Sequence, residues 1–145
     1  MRTLLCNTLL ASALVSLSAC AEQGVRPSVG ITQAEFAGQA VQLSDAQGRC
    51  ALTLADAAPL TLDMQWPCRF SETPQQQLRV EYFRQTPIIM VERSEPQPAP
   101  SRSCLTDLQA LRLHQGRLEA APVSRIAACG PSQWDQKAFV GMFDW

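Results

Sequence analysis

Cysteine is the residue type in this sequence that could form disulfides, bind a metal or carry a lipid. Four cysteines stand well apart in the chain, at Cys50, Cys68, Cys104 and Cys129. A zinc site would need close pairs of cysteine or histidine ligands, and this spacing supplies none, so we expect no metal site. In an exported chain the four thiols form two disulfides, for which three pairings exist. We favour Cys50 with Cys68 and Cys104 with Cys129, which close two short loops; the crossed pairings stay open.

Groups for acid–base or nucleophilic catalysis are few. His114 is the only histidine, and a Ser-His-Asp or Cys-His centre would have to be built on it. Gly116 follows in a predicted turn, so a solvated turn residue is the expected role of His114. Glu92, Asp107 and Glu119 could supply a carboxylate pair for glycoside cleavage, but that chemistry requires a defined separation. With no G-x-S-x-G stretch and no glycine-rich phosphate loop, we predict no catalytic residue and no enzyme.

Aromatic residues mark candidate packing and binding positions. Trp66 stands in an alternating apolar run and is expected in the core, and Trp134, five residues after Cys129, is expected to pack beside a disulfide. Phe143 and Trp145 stand together at the end of the sequence. They either dock as a last core segment or are offered to a partner, since aromatic residues are frequent in binding hot spots. Phe143 and Trp145 are therefore the candidate partner-binding residues.

The first twenty residues carry the most specific motif in the sequence. Arg2 precedes an uncharged apolar run over 4–17, and Leu-Ser-Ala-Cys follows at 17–20. The run is too short to span a bilayer, which takes about 20 apolar residues, and it has the character of a secretory signal peptide. The leucine, the two small residues and Cys20 resemble the lipobox of bacterial lipoproteins. The resemblance covers these twenty residues alone.

The resemblance to lipoproteins implies a covalent lipid. A diacylglycerol would be attached to the sulfur of Cys20, the signal peptide would be cut before it, and the new amino terminus would receive an acyl chain such as palmitate. Two or more chains hold a protein stably on a membrane. Ala21 stands where an aspartate would tend to retain the protein on the inner membrane, so the implied address is the periplasmic face of the Gram-negative outer membrane. An unmodified secreted protein cut near Ala19 or Ala21 is the alternative.

Length and charge then set the organisation of the chain. We divide it into a signal peptide over 1–19, a lipidated cysteine with a flexible tether over 20–38, and one disulfide-stapled periplasmic domain over 39–145. Without 1–19 the chain keeps eleven basic and thirteen acidic side chains with no cluster of either sign. Nucleic acid and anionic headgroups call for concentrated positive charge, so neither is an expected partner. No cofactor besides the lipid on Cys20 is expected.

Alternation of apolar and polar residues, the pattern of half-buried strands, dominates the chain from residue 39. Three predicted hairpins share it and span 41–54, 77–93 and 104–120. The last is ambiguous, since 104–113 could also begin a helix, but the hairpin is favoured. Between the first two hairpins, 60–70 is apolar at every second position. Pro67 has no amide hydrogen for a ladder, so that strand lies at an edge or ends near Trp66.

Two short helices are predicted near the C-terminus. Residues 122–130 suggest one that is capped by Ser124 and stopped by Gly130, and 131–143 suggest another that begins with Ser132, with Asp135 three residues on. The proline-rich stretch 94–101 is predicted as an exposed loop. The expected fold class is mainly β, a small antiparallel sheet or sandwich or barrel-like domain with one or two short C-terminal helices and two disulfides.

Function follows from these expectations only in outline. Export, a membrane anchor, disulfides and the scarcity of catalytic groups favour a non-catalytic binding or accessory module of the cell envelope. An inhibitor or immunity lipoprotein against a periplasmic hydrolase or toxin is the alternative, and a small envelope hydrolase is the third hypothesis. The expected partners are the membrane, through the anchor, and an envelope protein or periplasmic hydrolase.

Overall fold

The structure, a computed structural model, describes residues 30–131 and 133–145. The predicted signal peptide, the lipid attachment residue Cys20 and the first part of the predicted tether lie outside these residues, as does Ser132. Within the described ranges, no helix is long and apolar enough to cross a membrane.

Two antiparallel sheets make up the domain. The first has the order β1 to β4, with strands at Gln33–Phe36, Gln39–Ala46, Arg49–Leu54 and Leu60–Gln65. The second is built on two long paired strands, β7 (Thr86–Pro96) and β8 (Cys104–His114). Short strands lie along their outer sides: β5 (Arg69–Phe70) and β6 (Glu81–Phe83) pair with β7, and β9 (Arg117–Ala120) and β10 (Ser124–Ile126) pair with β8. One helix, α1 (Gln136–Val140), follows.

The predicted sheet fold is confirmed, and the alternation of the sequence explains its packing. Apolar positions of both sheets share one core between the two layers, as in a sandwich; its fully buried members include Val41, Leu52, Leu62, Phe70, Ile89 and Val91. The other face of the second sheet forms a smaller core under α1, with Ile88, Met90 and Phe139. Both faces of β7 are therefore covered, which is why its run from Ile88 to Val91 is apolar without alternation.

The first hairpin shows how local chemistry sets register. The β2–β3 turn is closed by the Gly48 amide, which donates to Asp45 Oδ1 at 2.6 Å, and Gly48 has a φ of +83° that favours glycine. The other two predicted hairpins are present as β6–β7 and β8–β9. The strand that was expected to end near Trp66 ends at Gln65, and it is also the outer strand of its sheet.

Both disulfides have the favoured pairing. Cys50 in β3 is bonded to Cys68, just before β5, so this bridge joins the two sheets. Cys104 at the start of β8 is bonded to Cys129, which follows β10. The first bridge is buried and the second is partly exposed, with Cys129 at the surface.

The prediction of a helix at 122–130 is wrong. Ser124–Ile126 is the edge strand β10, which pairs with Thr106–Leu108 of β8. In that register Arg125 lies opposite Asp107, whose carboxylate is nearly buried and accepts two hydrogen bonds from the Arg125 guanidinium. A nearly buried carboxylate needs such a partner, and this long-range pairing outweighs a weak local helix signal.

The second predicted helix is present but shorter than expected. α1 begins at Gln136, and its N-cap is Asp135, whose Oδ1 accepts from the Ala138 amide at 2.9 Å. Aspartate is a strongly preferred N-cap residue because its side chain satisfies an amide that has no partner within the helix.

The predicted boundary of the tether is also wrong. Gln33–Phe36, placed in the flexible segment, is strand β1 and pairs with β2, and Phe36 is fully buried in the core between the sheets. The folded domain therefore begins before residue 39. Four residues are too few to show a period in the sequence, and only pairing with β2 orders them.

Candidate functional site

The second sheet buries a carboxylate together with the side chains that bind it. Glu92 lies on β7 opposite Arg69 of β5, and its side chain is 1 % exposed. Its Oε1 accepts from Arg69 Nε at 3.0 Å and lies 2.9 Å from Arg69 Nη2. The indole N–H of Trp134 donates to Oε2. We call Arg69, Glu92 and Trp134 the buried triad.

A glycine covers the buried triad. A Cβ on Gly130 would lie 2.6 Å from Ser94 Oγ, 3.0 Å from Arg69 Nη2 and 3.2 Å from Glu92 Oε1, so the backbone approaches closer than any side chain allows. The Gly130 amide donates to Ser94 Oγ at 2.9 Å. Gly130 directly follows Cys129, so the Cys104–Cys129 bridge anchors the segment that closes over the triad.

Burial dominates the electrostatics of Glu92. Loss of hydration raises the pKa of its carboxyl above the ordinary value of 4.5, and the hydrogen bond from Trp134 and the charge of Arg69 offset this only in part. A carboxyl with a raised pKa next to a cavity is a common feature of functional sites. Here a cavity of about 390 Å³ adjoins it, lined by Trp66, Pro67, the Cys68 bridge, Arg69 and Glu92 among others.

This pKa predicts a pH dependence of stability. The unfolded chain releases the Glu92 proton at a lower pH than the folded one, so Glu92 should reduce the stability of the fold as pH rises from 4.5 through its raised pKa. Glu92→Gln keeps an acceptor for Trp134 and cannot ionise. Unfolding free energies of both proteins between about pH 4 and pH 8 should show wild type losing stability relative to the variant. A difference that is constant or grows in favour of wild type would contradict this assignment.

A second group of charges lines a cleft of about 490 Å³ to which both sheets contribute residues. We call it the charged mouth; it consists of three arginines and three acids, Arg49, Arg93 and Arg125 with Asp63, Glu95 and Asp107. Each arginine is paired with one acid. The N–O distances are 3.1 Å for Arg49–Asp63, 3.0 Å for Arg93–Glu95 and 2.6 Å for Arg125–Asp107. The hydrogen bonds that Arg125 donates to Asp107 raise the pKa of the Arg125 guanidinium.

Aromatic side chains gather on the outer face of the second sheet. Arg112 of β8 lies over the rings of Phe143 and Trp145, at 4.6 and 4.8 Å from their centroids. The ring of Trp145 is 4.7 Å from that of Phe83. We call Phe83, Arg112, Phe143 and Trp145 the aromatic patch. Phe143 packs on the smaller core, whereas Trp145 is docked at one side and remains 40 % exposed.

The carboxylates considered for glycoside cleavage are not brought together. Glu92 faces the α1 side of the second sheet, with Trp134, whereas Asp107 lies in the charged mouth between the sheets. Glu119 of β9 binds Arg112 at 2.8 Å, and that hydrogen bond lowers the pKa of its carboxyl. His114 ends β8, half-buried, and pairs in register with Arg117. Among the described residues, no group of three or more histidine, cysteine or acidic side chains could hold a metal ion.

Sequence reasoning identified Glu92 and Asp107 as candidate carboxylates but not the side chains that bind them. Their partners are arginines: Arg69 lies in the buried triad with Glu92, and Arg125 binds Asp107 in the charged mouth, which Arg93 also lines. One signal was present: Glu92 interrupts the apolar run of a central strand, and a charge at such a position requires a counter-ion. Trp66, expected in the core, is half-buried and packs against the core between the sheets. Trp134 packs against the smaller core and binds Glu92.

The chain matches no protein-family model, no curated protein and no solved structure.

Proposed function

We propose that this protein is a lipid-anchored, non-catalytic binding module of the cell envelope that contacts a partner protein through the aromatic patch. The lipobox-like residues 17–20 support the anchor, with Cys20 as the acylated residue, and the proposed address is the periplasmic face of the outer membrane. The two disulfides support export, because bridges persist in oxidising compartments.

The state of Trp145 carries the proposal. Trp145 is 40 % exposed as a residue, yet its ring contacts Phe83 and Arg112, and its indole N–H donates a hydrogen bond of 2.8 Å to the Val140 carbonyl. Binding costs free energy when side chains must be ordered. An exposed tryptophan that is already ordered avoids that cost, and tryptophan and arginine are the residue types most frequent in hot spots.

Truncation of Trp145 tests the proposal. The lipidated full-length chain, with an affinity tag in the exposed loop at 98–101, is isolated from envelopes after cross-linking in intact cells. Trp145→Ala should lower the affinity for the purified partner about 30-fold or more, the loss that defines a hot-spot residue. Tyr82→Ala is the matched control, because Tyr82 is 59 % exposed, directly precedes Phe83 in β6 and lies outside the patch.

The outcomes are distinct. If Trp145→Ala binds the same partner as tightly as wild type, the patch is not the binding surface and the proposal is wrong. Unchanged thermal midpoints of both variants exclude unfolding as the cause of a loss. If the partner is a wall hydrolase and the purified protein inhibits it near equal molar ratio, that result favours the inhibitor hypothesis over the accessory role.

The proposed address has its own test. Cys20→Ser removes the sulfur that would carry the diacylglycerol, so this variant should lose radiolabelled palmitate and leave the outer-membrane fraction. Wild-type protein that incorporates no palmitate would contradict the anchor.

A further inference from the structure

We propose that the charged mouth is a second binding site and that it takes a short zwitterionic peptide, one with a free ammonium and a free carboxylate. The site goes beyond the proposed function, because it lies between the sheets, whereas the aromatic patch lies on the outer face of the second sheet. No residue is shared by the two surfaces.

Strand register builds the floor of the charged mouth. Arg125 of β10 lies opposite Asp107 of β8, and Asp107 lies opposite Arg93 of β7, so three adjacent strands present one row of alternating charge. The first sheet supplies the facing wall with Arg49 and Asp63, and Arg49 is fixed there by a hydrogen bond of 2.6 Å from Nη2 to the Leu62 carbonyl. The row is therefore set by backbone pairing rather than by chance proximity of long side chains.

One donor of Arg93 lacks a hydrogen-bond acceptor within the charged mouth. Asp107 lies opposite Arg93 on the neighbouring strand, but its carboxylate accepts hydrogen bonds from both Nε and Nη2 of Arg125. Arg93 binds Glu95 through Nη1, and its buried Nε–H has no hydrogen-bond partner among the described residues. A buried donor without an acceptor is costly. A carboxylate that reached Arg93 when the Arg93–Glu95 pair opens would supply the acceptor, with the side-on geometry that guanidinium groups favour.

The charge balance selects the ligand class. Three arginines and three acids in the charged mouth sum to zero, so a ligand with a single charge would displace a side chain of the same sign and leave it without a partner. A zwitterion exchanges partners instead: its carboxylate binds Arg93 while its ammonium binds Glu95 or Asp63. The acids that must move are the exposed ones, Glu95 at 59 % and Asp63 at 64 %. Exposed ion pairs are weak, so the exchange is inexpensive.

The dimensions agree with a small ligand. Sites for small molecules have volumes of roughly 300 to 1,000 Å³, and the cleft of about 490 Å³ lies in the lower part of that range. The lining is polar except for Met64, a member of the core that is 3 % exposed, so a ligand with small side chains suits it. A peptide of two or three small residues matches both the volume and this lining.

The test uses three forms of one dipeptide against the mature chain. Alanyl-alanine carries both charges, its N-acetyl form carries only the carboxylate, and its C-terminal amide carries only the ammonium. In titrations followed by NMR we expect saturable binding of alanyl-alanine with a shift of the Arg93 Nε–H resonance, and binding at least about tenfold weaker for the other two forms. Equal binding of the N-acetyl form would overturn the proposal in favour of a simple anion site. No saturation up to about 10 mM would overturn it outright.

Variants separate the charged mouth from other surfaces. Arg93→Met keeps the aliphatic stem and removes the guanidinium, so binding of alanyl-alanine should fall about tenfold or more. Arg117→Met on β9 is the matched control at an exposed arginine outside the cleft and should bind like wild type. If Arg93→Met fails to fold, Glu95→Gln removes an exposed carboxylate instead, and it should reduce the preference for the zwitterion over its N-acetyl form. An unchanged preference in the double variant Asp63→Asn, Glu95→Gln, which removes both acceptors for the ammonium, would contradict the exchange of partners.

Discussion

Replacing Arg69 by methionine is expected to lower the free energy of unfolding by about 3 to 5 kcal/mol, the cost of leaving one member of a buried ion pair without its partner. Glu92 is 1 % exposed and Arg69 is 16 % exposed, so the buried carboxylate depends on the guanidinium as its counter-ion. The hydrogen bond from Trp134 would remain, but it carries no full charge. Urea denaturation measures the effect as a lower midpoint with an unchanged slope.

A matched ion pair in the same chain provides the control. Arg49 and Asp63 lie 3.1 Å apart but are 51 % and 64 % exposed, so Arg49→Met should cost no more than about 1 kcal/mol. The double variant Arg69→Met, Glu92→Leu should regain most of the lost stability, because replacing both members of a buried pair with apolar residues is often neutral. Equal losses in Arg69→Met and Arg49→Met would show that the buried triad does not stabilise the fold through its charges.

Removing the Cys50–Cys68 bridge, as Cys50→Ala with Cys68→Ala, should destabilise the domain by about 3 kcal/mol. The bridge closes a loop of 18 residues, and an unfolded chain without it gains the entropy of that loop. Both cysteines are buried and join the two sheets across the shared core. The loss of buried sulfur therefore adds a packing cost to the entropic one. Thermal and urea unfolding of the wild-type protein, oxidised and reduced, and of the double variant can separate the two costs.

The second bridge should respond differently to a reductant. Cys104 and Cys129 close a loop of 25 residues, so the chain-entropy contribution is similar, but Cys129 is exposed and Cys50 is fully buried. Low concentrations of a thiol should open Cys104–Cys129 first, while the domain stays folded. Alkylation followed by mass spectrometry identifies which cysteines have reacted. Simultaneous reduction of both bridges would contradict the difference in access.

The sequence determined most of the local structure. Period-two alternation located the β2–β3 hairpin and β4, because a half-buried strand must direct every second side chain to the core. The hairpins at β6–β7 and β8–β9 were favoured on weaker patterns, since the long strands β7 and β8 do not alternate. Cysteine spacing with a predicted oxidising address led to the correct pairing of the four described cysteines. Pro67 predicted that β4 either ends near Trp66 or lies at an edge, because proline has no amide hydrogen to continue a ladder, and both hold in the structure.

Only the tertiary structure decided which distant residues meet. The strands β1 and β10 have four and three residues, too short for a periodic signal, and they form because β2 and β8 offer unpaired edges. The pairing of Arg69 with Glu92, and the row of Arg125, Asp107 and Arg93, depend on strand register between segments far apart in the chain. A sequence pattern records which face a residue occupies, whereas the counter-ion of a buried charge is chosen by the neighbouring strand.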